Sequence, residues 1–302
     1  MTSQNSSQPN TSENTEAKGA TQGSASPENS TGVDLSTVTV ALIGAGNMGG
    51  AVAQAMRAAG VSADKLLVVN SSQESSERAA QEVDGIAASR EEAVAAADVL
   101  ILGVKPYQVI DMLDEIAGSL REDALVISLA AAVTLDAIEE ALDGGQAAIR
   151  AMPNTPISVG EGAVGLMHGS RVDDATHDLA HALFSQAGVV VDISEDQVHA
   201  FIGAAGSLSG FVFSIIEAMT DEAVRLGLKR NLADQLVQQT VRGAATMLMQ
   251  TGTHPAVAKN GVSSPGGTTV EGLAELERQG VRPGIARAMQ AAAERSREMT
   301  EG

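Results

Sequence analysis

Three glycines in the loop at residues 44–49, which reads GAGNMG, have the spacing of a phosphate-binding turn. The loop follows a β-branched run and precedes an Ala-rich stretch, so the pattern predicts a strand, a tight turn and a helix N-terminus. The first glycine permits the turn, the second lets the backbone approach a pyrophosphate, and the third lets the helix pack closely on the strand. The N–H groups of the helix N-terminus complete a dinucleotide site. Its predicted contacts are Ile43, Gly44, Gly46, Asn47, Met48 and Gly49.

The residues after the second predicted strand indicate which dinucleotide binds. Sites for NAD usually have an acidic residue there, against the ribose 2′-hydroxyl. This chain instead has Ser71 and Ser72, whose hydroxyls can donate to a 2′-phosphate, and Arg78 and Arg90 follow as cationic candidates. The pattern favours NADPH, with NADH as the alternative. The two serines could also cap the next helix.

Two further segments offer groups that could contact a ligand. Val104, Lys105 and Pro106 come at the end of the predicted strand Val99–Val104, at the carboxyl edge where doubly wound sheets bind ligands, so we expect them beside the cofactor. Further along, residues 262–269 read VSSPGGTT and precede a helix predicted to begin near Val270. The backbone of this loop and the helix N-terminus form a candidate carboxylate site, with a plain helix cap as the alternative.

Hydrophobic patterning predicts the elements that position these residues. From Thr37 onward, short β-branched runs alternate with Ala-rich stretches, which is typical of an α/β fold. The predicted strands are Thr39–Ile43, Leu66–Val69, Val99–Val104, Leu125–Ser128, Ala147–Ala151, Ala163–Met167 and Val189–Ile193. Helix-start signals lie at Ser75, Pro106, Thr134 and Asp173. The alternation predicts a Rossmann-type, doubly wound and mostly parallel sheet.

Strand signals end near Ser194, and the remaining sequence is helical in pattern. The predicted helices are Glu195–Ala204, Leu208–Leu226, Asn231–Gln250, Val270–Gln279 and Ile285–Glu301. Some of them are apolar on more than one face, which is typical of helices that pack against neighbours or a second subunit. We predict a disordered acidic and polar tail over residues 1–36, a dinucleotide-binding domain over 37–193 and an all-helical substrate and dimerisation domain over 194–302.

Composition excludes several classes of function. The chain has 302 residues, with 38 acidic against 19 basic side chains, so binding to nucleic acid or to an anionic membrane is disfavoured. It has no cysteine, and no third ligand is evident for His177 and His181, so no metal is predicted. The absence of an N-terminal apolar segment predicts a cytoplasmic protein. The acidic surface is typical of a halophile, with an ordinary acidic soluble protein as the alternative.

Several motifs together resemble the pyrroline-5-carboxylate reductase family. They are the 44–49 loop, the Val104–Pro106 segment, the MPNTP segment at 152–156, the His254-Pro255 pair and the SPGGTT loop at 264–269, in the order and spacing of that family. The resemblance covers residues 37–300. It implies NAD(P)H-dependent reduction of the cyclic imine Δ1-pyrroline-5-carboxylate to L-proline, the last step of proline synthesis, in a homodimer or a ring of dimers.

The resemblance also assigns roles to individual residues. The substrate carboxylate would lie on the backbone near Gly267 and Thr268, and the hydroxyl of Thr269, the implied catalytic residue, would meet the imine nitrogen. The implied substrate contacts are Glu195, Ser264, Gly267, Thr268 and Thr269. Further implied cofactor contacts are Ala130, Ala131 and Asn154. A cyclic imine protonates readily near neutrality, so the protein needs to align the reactants more than it needs a strong acid or base.

This chain departs from the family near the proposed substrate. The family's SGSGPAY segment reads AGSLSGF at residues 205–211, and Gly261 replaces an asparagine. A related NADPH-dependent imine reductase with another substrate is therefore one alternative, and a non-catalytic NADP-binding regulator is another. A β-hydroxyacid dehydrogenase is disfavoured, because no lysine lies between Lys105 and Lys229 to serve as its catalytic residue.

Overall fold

The computed structural model describes residues 32–142 and 145–301. The predicted disordered tail lies almost entirely outside the described residues. Where the two overlap, the structure differs from the prediction: Asp34 caps a 3-10 turn at Leu35–Thr37, and the side chain of Leu35 is buried. The hydrophobic core therefore includes a residue that composition alone assigned to the tail.

An eight-stranded sheet forms the centre of the fold, in the order β3-β2-β1-β4-β5-β6-β7-β8. The strands are β1 (Val40–Ile43), β2 (Leu66–Val69), β3 (Ile86–Ala87), β4 (Val99–Leu102), β5 (Leu125–Ser128), β6 (Ala147–Pro153), β7 (Gly162–His168) and β8 (Gly188–Asp192). β1 to β6 are parallel, β7 is antiparallel to β6, and β8 is parallel to β7. The predicted Rossmann-type, mostly parallel sheet is confirmed.

The direction of the strands gives the sheet two functionally different edges. β1 to β6 all end at one edge, which we call the carboxyl edge, whereas β7 and β8 end at the opposite edge. Sequence patterning did not predict β3, because two residues are too few to show a periodic signal. It also extended β4 by two residues, since Gly103 and Val104 have already left the strand.

Six helices cover the sheet. They are α1 (Asn47–Ala59), α2 (Gln73–Val83), α3 (Arg90–Ala96), α4 (Val109–Ile116), α5 (Leu135–Ala141) and α6 (Asp174–Phe184). Thr134 and Asp173 cap α5 and α6, as their side-chain chemistry predicts. For α2 the predicted start at Ser75 is wrong and the alternative, a cap from the serine pair at 71–72, is confirmed: Ser72 is the N-cap, and its hydroxyl accepts a hydrogen bond from the backbone N–H of Ser75 at 3.2 Å. The serine at position 72 is simply the earlier of two suitable caps.

The chain after β8 is helical throughout the described residues. A 3-10 turn at Glu195–Gln197 leads to α7 (Val198–Phe201), a π-helical turn (Ile202–Gly206), α8 (Leu208–Arg225), α9 (Arg230–Thr251), α10 (Pro255–Gly261), α11 (Thr268–Arg278) and α12 (Val281–Glu301). Patterning missed α10 and began α11 and α12 too late. Pro255 and Pro283 lie in the first turns of α10 and α12, where proline fits a helix.

The two faces of the sheet are buried by separate groups of side chains. Leu42 of β1 packs with Val52 and Met56 of α1 on one face. Ile43, the next residue along the strand, packs with Val109 and Leu113 of α4 on the other face. Because successive strand residues point to opposite faces and both faces are covered, β1 is buried at every position. Because both faces are covered, a ligand can reach the central strands only at their ends, as in the cavity at the carboxyl edge.

The long helices of the C-terminal part bury little in a single chain. In α8, Thr220 alone is buried, although the helix is apolar on several faces. Large exposed apolar side chains there are Phe213, Ile215, Met219, Leu226, Leu228, Leu232, Leu236, Met247 and Met249. By length and composition, the segment Glu195–Arg225 would even suffice to cross a membrane, with a mean hydropathy of 1.6 and 6% of its apolar window buried. Large apolar side chains exposed in such number along two helices are typical of an interaction surface.

Candidate cofactor and substrate site

The glycine-rich loop is a strained turn that only glycine can form. Gly44 has a φ of +95°, and its N–H donates to the carbonyl oxygen of Val69 at 2.9 Å. A Cβ added to Gly44 would lie 2.7 Å from the carbonyl carbon of Gly103 in the loop after β4. A Cβ on Gly49 would collide with the carbonyl oxygen of Gly44. These contacts bring the N-terminus of α1 directly against β1, with Gly46 as its N-cap.

Asn70, which sequence reasoning did not single out, fixes this loop to the end of β2. Its side-chain Oδ1 accepts from the backbone N–H of Ala45 at 2.8 Å, and its Nδ2 donates to the carbonyl oxygen of Ser75 at 3.2 Å. The backbone N–H of Asn70 in turn donates to Ser76 Oγ at 2.8 Å. One amide therefore links the phosphate-binding turn, the second strand and the start of α2. The sequence signal that could have identified Asn70 is its position directly after the second strand.

A cavity of about 580 Å³ opens beside this loop at the carboxyl edge. This volume lies within the range of small-molecule sites, which is roughly 300–1,000 Å³. The predicted cofactor contacts in its lining are Ile43, Gly44, Ser71, Ser72, Val104 and Lys105. Arg90 also lines the cavity, with its guanidinium held by Glu115 at 2.7 Å, whereas Arg78 does not. The structure thus brings together predicted residues from the ends of three strands.

The other predicted cofactor residues lie outside the lining of this cavity. Gly46, Asn47, Met48 and Gly49 form the start of α1, and Pro106 begins a 3-10 turn. Asn154 follows β6, and its amide has two structural partners: it accepts from the N–H of Ala163 at 2.8 Å and donates to the carbonyl of Ala205 at 3.2 Å. That amide joins the sheet to the π-helical turn. Its role in cofactor binding stays a prediction.

Ala130 and Ala131 follow β5, next to a buried arginine whose role sequence reasoning missed. The Arg150 side chain, in β6, is 1% exposed and donates to the carbonyl oxygen of Ala131. It also donates to Glu195 Oε1 at 2.8 Å. The same carboxylate oxygen accepts from the backbone N–H of Leu135 at 2.8 Å. Glu195, implied as a substrate contact, is therefore a structural partner of Arg150 in the described chain.

The substrate loop is separate from the cofactor cavity within one chain. Ser264, Thr268 and Thr269 are exposed, and Gly267 is the N-cap of α11. No residue of the loop lines the cavity at the carboxyl edge. Thr268 and Thr269 occupy the first turn of α11, two residues earlier than predicted, so their backbone N–H groups belong to the helix N-terminus. The N-terminus of α11 therefore has the geometry of an anion-binding site. Within one chain, that site is separate from the cofactor cavity.

At the opposite edge, the structure places two further ligating side chains beside His177 and His181. His168 ends β7 and Asp192 ends β8. Sequence reasoning found no third ligand because strand pairing, not spacing, brings these residues together. Burial raises the pKa of the Asp192 carboxyl, but hydrogen bonds from the three imidazoles outweigh burial and hold that pKa well below its usual value.

A Rossmann-type sheet, a glycine-rich phosphate turn and a cavity at the carboxyl edge define a dinucleotide-dependent oxidoreductase. The family model described as "Pyrroline-5-carboxylate reductase dimerisation" matches residues 195–299, and the model described as "NADP oxidoreductase coenzyme F420-dependent" matches residues 39–132. Over 266 residues the chain is 36% identical to pyrroline-5-carboxylate reductase of Corynebacterium melassecola, covering 86% of this chain and 98% of that one. The chain belongs to the pyrroline-5-carboxylate reductase family.

Solved structures give the same result. A pyrroline-5-carboxylate reductase from Coxiella burnetii superposes with a TM-score of 0.80 at 34% identity, covering 87% of this chain and 99% of the other. The Plasmodium falciparum pyrroline carboxylate reductase with NADP bound has a TM-score of 0.79 at 26% identity, covering 88% and 99%. The similarity therefore extends through both the sheet and the helical part of the chain.

Proposed function

We propose that this protein reduces Δ1-pyrroline-5-carboxylate to L-proline with NADPH, the last step of proline synthesis. The observation that carries the proposal is the family match over the whole described fold, together with a dinucleotide cavity at the carboxyl edge. The related imine reductase and the non-catalytic regulator are not favoured, because pyrroline-5-carboxylate reductases match this chain across both the sheet and the helical part. We further propose a cytoplasmic enzyme whose acidic surface is a halophilic adaptation.

The residues present fit a bound dinucleotide. Gly44 and Gly49 have no room for a Cβ, and this close packing holds the start of α1 against the strand. The N–H groups of the first turn of α1 are the donors that a pyrophosphate would accept from. Ser71 and Ser72 lie in the cavity lining at the end of β2, where a 2′-phosphate would lie, and the lining includes the cations Arg90 and Lys105. When bound, NADPH supplies the hydride. The chain would hold NADPH by backbone N–H groups, by the hydroxyls of Ser71 and Ser72 and by the two cations.

The substrate would be held by the N-terminus of α11. The N–H of Gly267 already donates to the carbonyl oxygen of Ser264 at 2.9 Å, so the donors for the substrate carboxylate would be the backbone N–H groups of the first turn of α11, from Thr268 onward. The Thr269 hydroxyl would donate to or accept from the imine nitrogen. Alignment of the protonated imine is the main catalytic contribution, since an iminium carbon is already electrophilic. The departures Leu208 and Gly261 begin α8 and end α10, and they are distant in sequence from the phosphate-binding loop.

We propose that the active site is completed in a homodimer. The substrate loop and the cofactor cavity are separate in one chain, and the exposed apolar faces of α8 and α9 need a covering surface. A second copy that packs on these helices would bring its own loop toward the carboxyl edge. The dimerisation model matching residues 195–299 supports this arrangement, which dimers could extend into a ring.

Replacing Thr269 with alanine is expected to lower kcat/KM for the imine by about tenfold or more, roughly 1.4 kcal/mol of transition-state stabilisation. NADPH affinity should not change, because the loop lies outside the cofactor cavity. The assay is substrate-dependent loss of NADPH absorbance. Thr269→Ser, which keeps the hydroxyl, is the control and should retain most activity. NADPH binding without turnover in the wild-type chain would instead indicate a regulator or another imine substrate.

Replacing Ser71 with aspartate is expected to weaken NADPH binding by about tenfold, while NADH binding changes little. The new carboxylate would repel a 2′-phosphate but accept from a 2′-hydroxyl. Dissociation constants for both cofactors, measured by the fluorescence of the nicotinamide, give the ratio directly. Ser71→Asn has nearly the same shape without the charge and should keep the wild-type preference. An unchanged ratio in Ser71→Asp would show that the 2′-phosphate lies elsewhere.

A further inference from the structure

Four side chains at the opposite edge of the sheet form a cluster with the composition of a transition-metal site. They are His168, His177, His181 and Asp192, and their donor atoms all lie within 4.8 Å of one another. The Nε2 atoms of His168 and His181 are 2.7 and 2.8 Å from Asp192 Oδ1, and Nε2 of His177 is 3.0 Å from Oδ2. Three imidazoles thus converge on a single carboxylate.

The fold explains why these residues meet. Asp192 of β8 is paired in register with Leu166 of β7, so His168, two residues further on, lies on the same face of the sheet. His177 and His181 are four residues apart on α6, which places both side chains on the helix face beside these strand ends. Neither pair depends on the other for its position. The cluster is therefore built by one strand pair, β7 and β8, and one helix, α6, which is the rigid support that a preorganised site requires.

We infer that this cluster binds one divalent transition ion of the Zn²⁺ class. Imidazole nitrogen and carboxylate oxygen are ligands that Zn²⁺ prefers, and bonds of about 2.0–2.1 Å in a tetrahedron place the donor atoms about 3.3 Å apart. The imidazole–carboxylate separations of 2.7 to 3.0 Å would have to lengthen slightly, and the remaining donor pairs, which are at most 4.8 Å apart, would have to close toward the same value. Next to the carboxylate alone, each of the three Nε2 atoms must carry a proton and donate it. Around a metal ion, the same three Nε2 atoms would be unprotonated and would coordinate through their lone pairs.

The surroundings of the cluster also suit a cation. The Nδ1 atom of His177 lies 3.3 Å from Asp178 Oδ1, the arrangement in which a carboxylate orients a metal-bound imidazole. The Nε2 atom of His168 is the ring nitrogen that faces the cluster, 2.7 Å from Asp192 Oδ1. The net charge of −19 favours accumulation of cations at the surface. The side chains are 23–46% exposed, so an ion can enter.

The site is distinct from the reductase site proposed above. β7 and β8 run opposite to the strands that end at the carboxyl edge, so the cluster and the cofactor cavity lie at different edges of the sheet. The ion would tie α6 to the ends of β7 and β8. Its role is therefore stabilisation of this end of the sheet, and binding can be measured without any substrate.

The test is calorimetric titration of Zn²⁺ into the untagged, chelator-treated full chain. We expect one ion per chain, a rise in Tm with Zn²⁺, and a visible absorption band of tetrahedral Co²⁺ when Co²⁺ is used as the probe. His177→Gln and His181→Gln should each weaken binding at least about tenfold, whereas His254→Asn, which replaces a histidine outside the cluster with another good helix cap, should bind like the wild type.

Two results would overturn the inference. One is absent or substoichiometric Zn²⁺ binding by the wild-type chain, which would leave the cluster as three hydrogen bonds to Asp192. The other is wild-type affinity in either glutamine variant, which would place the ion elsewhere. Circular dichroism and NADPH binding check that each variant is folded, and the Co²⁺ spectrum of the wild type reports coordination independently of any variant.

Discussion

Replacing Gly49 with alanine is expected to abolish tight NADPH binding and to lower the free energy of unfolding by about 2–3 kcal/mol, the cost of overpacking against rigid structure. The added Cβ would collide with the carbonyl oxygen of Gly44, which belongs to the backbone and cannot rotate away. The start of α1 must then move off β1. That movement withdraws the backbone N–H groups that we expect to hold the pyrophosphate.

The neighbouring Gly50 provides a matched control. It lies in the same helix, and a Cβ there would meet nothing within 4 Å. Because alanine is a better helix former than glycine, Gly50→Ala should leave binding unchanged and stabilise the fold by about 0.5–1 kcal/mol. Unfolding is followed by circular dichroism at one protein concentration, and binding by nicotinamide fluorescence. Equal behaviour of the two variants would contradict the packing role of Gly49.

Replacing Glu195 with alanine is expected to destabilise the chain by about 3–5 kcal/mol, the effect of leaving one member of a buried ion pair alone. The Arg150 side chain is 1% exposed and the Glu195 side chain 31% exposed, so the guanidinium would lose a buried partner and gain only partial access to water. The backbone N–H of Leu135 loses its acceptor in the same change. Since Arg150 also holds the carbonyl of Ala131, we expect the loop after β5 to loosen and turnover to fall.

Two further variants separate charge from shape. Glu195→Gln keeps an oxygen acceptor for both donors but removes the charge, so a smaller loss of about 1–2 kcal/mol is expected. Asp196→Asn removes a charge from the adjacent exposed residue and should change stability by less than about 0.5 kcal/mol. If Glu195→Ala were as stable as the wild type but had a raised KM, Glu195 would contact substrate, as the family resemblance implies.

Local sequence patterns were sufficient wherever the structural cause is itself local. The GAGNMG turn, the N-caps at Thr134 and Asp173 and the positions of most strands along the chain depend on residues within a few positions of one another, and the structure agrees with them. Two short elements were not predicted. β3 has two residues and α10 has seven, which are too few to show a clear hydrophobic period.

The functional residues that sequence reasoning missed are all defined by long-range contacts. Asn70 contacts a loop 25 residues away, and Arg150 contacts Glu195 across 45 residues. The His168 and Asp192 side chains meet because β7 and β8 pair in one register, which no local pattern specifies. The separation of the substrate loop from the cofactor cavity is likewise a property of how the helices pack.

The sequence by itself determined the phosphate-binding turn, the α/β class and the family, because these depend on residue type and spacing along the chain. Tertiary structure alone decided that Glu195 pairs with a buried arginine, that three histidines share one carboxylate, and that one chain keeps its substrate loop apart from its cofactor cavity. Such facts depend on strand order, register and helix packing, which are set by the burial of many side chains together and not by any single motif.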